Sequence, residues 1–209
     1  MGYILIIIGV VCIVTGIITL QKDSPTVNAP VKEVIKEKTE IIKEKTIITT
    51  QADDRKLQNQ QKGLAFEKYV ISKFPKDSYS IKEWRSDKFT DGRYAESSTY
   101  PDMELTLHLG KYEHEFAIEC KWRSKFTDEK SLEWSYDEQI KRYNKYSEDK
   151  SIPVFIILGI GGTPSAPENV FCIPLQALQN AHVEKEYLEK FRHQNPKNFY
   201  YFAKENKLL

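Results

Sequence analysis

The spacing of apolar residues changes along the chain, and each change marks a different kind of segment. Tyr3 to Leu20 is an unbroken apolar run without a charged residue, and it ends at Gln21-Lys22-Asp23. From Val31 to Thr50, short apolar pairs alternate with Lys and Glu. Helix-like and strand-like spacings begin only after about residue 54. The pattern therefore predicts three parts: residues 1–22 as a transmembrane anchor, 23–54 as a charged helical linker or stalk, and 55–209 as a folded domain.

The first apolar run is long enough to cross a bilayer. Its 18 residues would rise about 27 Å as a helix, close to the roughly 30 Å hydrocarbon core. A cleaved signal peptide is the alternative, but Met-Gly-Tyr carries no positive charge and no A-x-A-like site follows. Lysines follow the run and none precedes it, which places the C-terminal part in the cytoplasm. We expect a single-pass protein of the cell (inner) membrane, with its N-terminus outside.

The linker contains a seven-residue repeat. The string Ile-Lys-Glu-Lys-Thr at Ile35–Thr39 recurs at Ile42–Thr46. The repeat covers only about two heptads, and Lys38 and Lys45 would occupy a seam position of a coiled coil. Two interpretations stay open: a solvated helical spacer, and a homo-oligomer that forms through the stalk or through the folded domain.

The folded domain shows alternating helix and strand patterns. Gly110-Lys111 separates two alternating strands and predicts a hairpin turn between them. The predicted elements are a helix over Asp54–Phe74, a strand over Tyr79–Trp84, a loop over Arg85–Tyr100, strands over Asp102–Leu109 and Glu113–Trp122, a helix over Trp134–Asp149, strands over Ile152–Ile160 and Val170–Leu175, and a helix over Leu175 to about Phe191. This order predicts an α/β fold whose mixed central sheet is flanked by helices.

Composition adds little to this assignment. A formal charge of +1, from 31 basic and 30 acidic residues, neither supports nor excludes a nucleic-acid partner. Cys12, Cys120 and Cys172 are an odd number without CxxC spacing, which argues against a disulfide framework or a zinc site. The glycines of Gly159-x-Gly161-Gly162 precede a Pro-rich loop rather than a helix, so a dinucleotide-binding site is excluded.

Two carboxylates and a lysine are collected by the predicted hairpin. Side chains alternate along a strand, so Glu119 and Lys121 emerge on one face and Cys120 on the other. Antiparallel pairing brings Asp102, at the start of the first strand, beside them. Asp102, Glu119 and the main-chain carbonyl of Cys120 are hard oxygen ligands that suit Mg²⁺, with Mn²⁺ as a substitute. Such a cation lowers the pKa of a bound water, and Lys121 would orient that water or stabilise developing charge.

These residues resemble a known signature. Pro101-Asp102, a spacer of 16 residues and Glu119-Cys120-Lys121 look like the PD-(D/E)xK motif of restriction-endonuclease-like nucleases, and the run Glu119–Arg123 is similar to the Mrr-type and Holliday-junction resolvase-like branches. The resemblance implies an αβββαβ core, Mg²⁺ dependence and a DNA substrate. It also implies that Glu67 from the first helix and Gln139 from the helix after the motif belong to the site.

The expected function is that of a membrane-anchored, Mg²⁺-dependent DNA endonuclease in defence or DNA processing. A catalytically inactive nuclease-like module that binds DNA or a protein is the alternative, and a salt-bridged surface cluster is the corresponding structural explanation of the three residues. Glu104 shares the strand face of Asp102 and is a substitute ligand. Basic side chains that would neutralise phosphates are Arg85, Lys88, Arg93, Arg123, Lys125, Lys141, Arg142 and Lys145.

Overall fold

A computed structural model describes residues 29–85, 89–90, 93–94, 99–127, 130–194 and 197–209. The chain divides into two compact units, Met1–Arg55 and Lys56–Leu209. The predicted membrane span, Tyr3 to Leu20, lies outside the described residues. Within the described ranges, none of the helices combines the length and the apolar character needed to cross a membrane.

A long helix, α1, covers Ala29–Ser72. In the first unit its apolar side chains include Ile42 and Ile48, which are 55% and 58% exposed. In the second unit the same helix buries Phe66 and Val70, and Phe74 is buried two residues after its end. It ends just before Pro75, whose ring cannot continue the hydrogen-bond ladder of a helix. The helix predicted over Asp54–Phe74 is thus the C-terminal part of α1.

The other elements of the described residues belong to the second unit. The strands are β1 (Tyr79–Trp84), β2 (Phe89–Thr90), β3 (Arg93–Tyr94), β4 (Met103–Leu109), β5 (Tyr112–Arg123), β6 (Ser131–Glu133), β7 (Val154–Ile160), β8 (Asn169–Pro174), β9 (His182–Glu184), β10 (Tyr201–Phe202) and β11 (Lys207–Leu208). Two further α-helices are α2 (Asp137–Lys150) and α3 (Lys185–Leu188).

The central sheet has five strands in the order β1-β4-β5-β7-β8. Strands β5 and β7 are parallel, whereas the other neighbours are antiparallel. When the short two-stranded ladders are left out, the elements follow one another as α1, β1, β4, β5, α2 and β7. This is the order αβββαβ, and β8 comes after it. The predicted α/β class with a mixed central sheet is therefore confirmed, as is the hairpin turn at Gly110, whose φ of 63° favours glycine.

Hydrophobic clusters cover both faces of the sheet. One cluster joins the sheet to α1 through Phe66 and Val70, and the other joins it to α2 through Ile140 and Tyr143. Close approach on the α1 side requires Gly159, because a Cβ at that position would lie 2.5 Å from the Phe66 ring. This packing explains the first glycine of the Gly159-x-Gly161-Gly162 run.

Two element predictions were wrong. The segment predicted as a loop over Arg85–Tyr100 contains the β2–β3 ladder. The helix predicted from Leu175 to Phe191 is instead a 3₁₀ turn, β9, the single-turn α3 and a second 3₁₀ turn. The reason is tertiary pairing, since β9 pairs with β6 and buries Val183, while Leu188 is fully buried.

Candidate active site

The hairpin of β4 and β5 brings the predicted carboxylates together. Met103 pairs with Ile118, so Asp102 falls opposite Glu119, one step beyond the end of the ladder. Asp102 is 3% exposed and Glu119 is 1% exposed. Ile118 and Cys120 pack with the cluster on the α1 side, which places Glu119 and Lys121 on the α2 side by alternation. The face assignment made from the sequence therefore agrees with the structure.

A main-chain hydrogen bond fixes Asp102. The amide of Cys120 donates to Asp102 Oδ2 at 2.8 Å. The N–H and C=O groups of one strand residue point to the same side of the strand. The Cys120 carbonyl therefore points to the same side as its amide, which is the side of Asp102. Asp102 occupies that position because β4 begins only at Met103.

Lys121 is paired with Glu119 at the mouth of the site. Its Nζ lies 2.6 Å from Glu119 Oε1, and its side chain is 18% exposed. The ammonium therefore lies between a buried carboxylate and the solvent. It is placed to meet a group that approaches from outside.

Gln139 takes part in the site through Tyr143. The Ser135 hydroxyl donates to Gln139 Oε1 at 2.7 Å, and Gln139 Nε2 donates to the Tyr143 hydroxyl. Burial, together with the nearby carboxylates of Glu119 and Asp102, raises the pKa of Tyr143 far above its ordinary value. Tyr143 therefore keeps its proton, and its hydroxyl lies close to the Glu119 carboxylate.

Sequence reasoning missed Tyr143. The available signal was its position four residues after Gln139, which places both side chains on one face of α2. Tyrosine is a common core residue, so that spacing alone does not indicate a functional role.

The structure places Glu67 beside Trp84. The Trp84 indole N–H donates to Glu67 Oε2 at 2.7 Å, and Glu67 is 8% exposed. Trp84 packs against the cluster on the α1 side of the sheet. Glu67 is therefore held at the end of β1, whereas Glu119 and Lys121 project from the other face.

Glu104 belongs to a separate buried network. Arg85 Nη2 lies 2.5 Å from Glu104 Oε1, and the Tyr146 hydroxyl also donates to this carboxylate. Burial alone would raise the pKa of Glu104, but the hydrogen bonds from Tyr146 and Arg85 outweigh it and lower the pKa. These contacts account for Glu104 without a ligand role.

A cleft of about 390 Å³ opens beside Lys121. It is lined by Lys121, Arg123, Thr127, Glu133, Trp134, Ser135, Tyr136 and Gln139. Arg123 donates to the main-chain oxygens of Trp122 and Trp134 at 3.1 and 3.2 Å, and burial lowers its pKa. Of the basic residues predicted to contact phosphates, Arg85 and Arg123 instead form hydrogen bonds within the protein. Lys88 lies outside the described residues.

The donor set fits a hydrated hard cation. Among the described residues, no three or more His, Cys, Asp or Glu side chains are grouped as a metal site. The predicted set has two carboxylates and one main-chain carbonyl. Mg²⁺ is commonly held by one or two carboxylates while it keeps several waters, so this oxygen-only set suits Mg²⁺ or Mn²⁺.

Comparison with known proteins gives a distant structural likeness. No family model matches the chain, and no curated protein matches it. Among solved structures, the chain is similar to Archaeoglobus fulgidus Hjc, a Holliday junction resolvase from an archaeal hyperthermophile. The two share 15% identity with a TM-score of 0.42, over 61% of this chain and 93% of Hjc. A likeness this distant does not assign an activity.

Proposed function

We propose that residues 55–209 form a Mg²⁺-dependent DNA endonuclease of the PD-(D/E)xK type, which hydrolyses phosphodiester bonds at Asp102, Glu119 and Lys121. The observation that carries the proposal is the convergence of two buried carboxylates and a lysine at one end of the β4–β5 hairpin. Burying carboxylates costs free energy, and such clusters beside a cleft are typical of functional sites.

We assign each residue a role that is compatible with its contacts. Asp102, Glu119 and the carbonyl of Cys120 would hold Mg²⁺, which supplies an acidified water and neutralises charge on the phosphate. Lys121, at the mouth, would orient the attacking water or stabilise charge on the phosphate oxygens. Gln139 acts indirectly, because it holds the hydroxyl of Tyr143, which lies close to the Glu119 carboxylate. Glu67 stays a proposed member on the side of α1.

The predicted anchor would hold this domain at the inner membrane on the cytoplasmic side. A second candidate function, a module that binds DNA or a protein without cleavage, is favoured by one observation. The ion pair of Lys121 with Glu119, at 2.6 Å, is also the contact that a purely structural salt bridge makes.

A cleavage assay on the full chain in detergent tests the proposal. Wild-type protein with Mg²⁺ should cut DNA, and Asp102→Asn or Lys121→Ala should lower the rate by about 10²–10³-fold, as removal of a charge-stabilising group does in other enzymes. Lys111→Ala and Glu113→Gln are matched controls, because both residues are exposed near the opposite end of the same hairpin. Equal activity of Lys121→Ala and wild type would refute the assignment of this site as a nuclease active site.

Metal binding separates the two candidate functions. Wild-type protein should bind Mn²⁺ at a site that Glu119→Gln weakens and Glu113→Gln leaves unchanged, as measured by calorimetry. A chain that binds DNA but neither binds Mn²⁺ nor cuts would be the inactive module instead.

A further inference from the structure

The cleft beside Lys121 has an exposed aromatic ring on its wall. Tyr136 immediately precedes α2, and its side chain is 51% exposed. It lines the cleft together with Lys121 and Gln139, which connects the ring to the proposed reaction centre. An exposed aromatic side chain next to a reaction centre is placed to contact a flat apolar group of the substrate.

Arg142 holds the ring in one position. Its Nη2 donates to the Tyr136 hydroxyl at 2.7 Å, and its guanidinium carbon lies 5.4 Å from the ring centroid. A side chain that is already oriented loses less conformational freedom when a ligand binds. Tyr136 is thus a pre-organised surface rather than a freely rotating side chain.

The size of the cleft limits what can occupy it. Its volume of about 390 Å³ is near the lower end of the roughly 300–1,000 Å³ that small-molecule sites have. That space suits one nucleoside-sized group and is too small for a duplex. A base inside a duplex also has both faces covered by its neighbours, so it cannot stack on a protein ring unless it leaves the stack.

Charge gives the bound group a direction. Lys121, which is ion-paired with Glu119, and Glu133 both line the cleft. A phosphate is attracted to Lys121 and repelled by Glu133, so we expect the phosphate beside Lys121, which leaves the ring of Tyr136 for the base.

We infer that the cleft takes one unpaired nucleotide next to the scissile phosphate, with its base stacked on Tyr136. The inference rests on the proposed nuclease function and narrows its substrate class to DNA with unpaired nucleotides. Tyr136 is a specificity residue in this arrangement, and Arg142 positions it.

The test compares three DNA substrates of the same sequence: a full duplex, a duplex with a short single-stranded gap, and a single strand. The full chain should bind and cut the gapped and single-stranded DNA at least about tenfold better than the duplex. Tyr136→Ala should weaken binding of unpaired DNA by about 5- to 150-fold, the range expected for loss of one base–aromatic stack. Tyr136→Phe, which keeps the ring, should stay within about threefold of wild type.

A matched control and a spectroscopic probe separate stacking from a structural effect. Tyr112 is 60% exposed at the other end of the hairpin, so Tyr112→Ala should bind DNA like wild type. A 2-aminopurine base at the unpaired position should lose fluorescence on binding to wild type and to Tyr136→Phe, but not to Tyr136→Ala.

The outcomes distinguish this inference from the proposed function. Cleavage of full duplex as fast as of gapped DNA, with no effect of Tyr136→Ala, would overturn the inference and leave the nuclease function standing. Tyr136-dependent binding of unpaired DNA without cleavage would overturn the nuclease function and leave only the base-stacking site standing. A chain without affinity for any of the three DNAs would overturn both.

Discussion

Replacement of Arg85 by alanine would break a buried ion pair that joins β1 to the start of β4. The Arg85 side chain is 8% exposed and lies 2.5 Å from Glu104, which is 1% exposed. Arg85 also donates to the carbonyl of Pro101 at 2.9 Å, directly before Asp102. In Arg85→Ala the Glu104 carboxylate would keep the hydroxyl of Tyr146 but lose its buried cation.

The expected loss of stability follows from that environment. Removal of one partner of a buried pair costs about 3–5 kcal/mol because a charge is left in a medium of low dielectric constant. Tyr146 still satisfies part of the carboxylate, so we expect the lower end, about 3 kcal/mol. For a domain of this size that corresponds to a drop in Tm of about 6–12 °C. Removing both charges, in Arg85→Met with Glu104→Leu, should cost less than Arg85→Ala.

Urea unfolding measured by tryptophan fluorescence provides the assay, since Trp84, Trp122 and Trp134 all lie in the second unit. Glu83→Ala is the control, because Glu83 also contacts Arg85 but is 49% exposed, and should cost less than about 1 kcal/mol. The reasoning is refuted if Arg85→Ala is as stable as Glu83→Ala. It is also refuted if the double variant is less stable than Arg85→Ala.

Three further predictions concern the site and its support. Tyr143→Phe removes a buried hydroxyl close to the Glu119 carboxylate, so cleavage should fall by about 10–100-fold, with a higher Mg²⁺ concentration needed for half-maximal rate. An unchanged Mg²⁺ dependence would contradict this role. Gly159→Ala places a Cβ 2.5 Å from the Phe66 ring and should cost about 1–3 kcal/mol in urea unfolding. The contacts of Glu104 lower its pKa in the folded protein. Its ionised carboxylate therefore contributes fully to the free energy of unfolding above its ordinary pKa of 4.5, and this contribution is lost as the pH falls through the lower folded-state pKa. In Glu104→Gln, the free energy of unfolding should therefore depend less on pH in the acid range. An unchanged pH dependence would show that Glu104 does not cause it.

The hairpin could be predicted because its information is local. Alternation along β5 sets the face of Glu119 and Lys121, and the turn at Gly110 fixes the register that brings Asp102 to Glu119. A shift of one residue would exchange every buried and exposed position, so the buried pattern itself specifies the register.

The C-terminal part could not be predicted because its structure depends on distant partners. The segment that contains Val183 and Leu188 is predicted from the sequence as a helix, yet β9 pairs with β6, about 50 residues earlier in the chain. Short segments of this kind gain most of their stability from tertiary contacts rather than from intrinsic propensity. A single sequence does not show which distant segment will pair with them.

The same distinction separates the reacting groups from the groups that support them. Asp102, Glu119 and Lys121 lie on two strands joined by one tight turn, so a short stretch of sequence predicts their convergence. Tyr143 reaches Glu119 only because α2 packs on that face of the sheet, and Arg85 reaches Glu104 only through the pairing of β1 with β4. Supporting contacts of this kind govern how accurately the carboxylates are held. Variants that remove these contacts therefore test the geometry of the proposed site without changing its carboxylates.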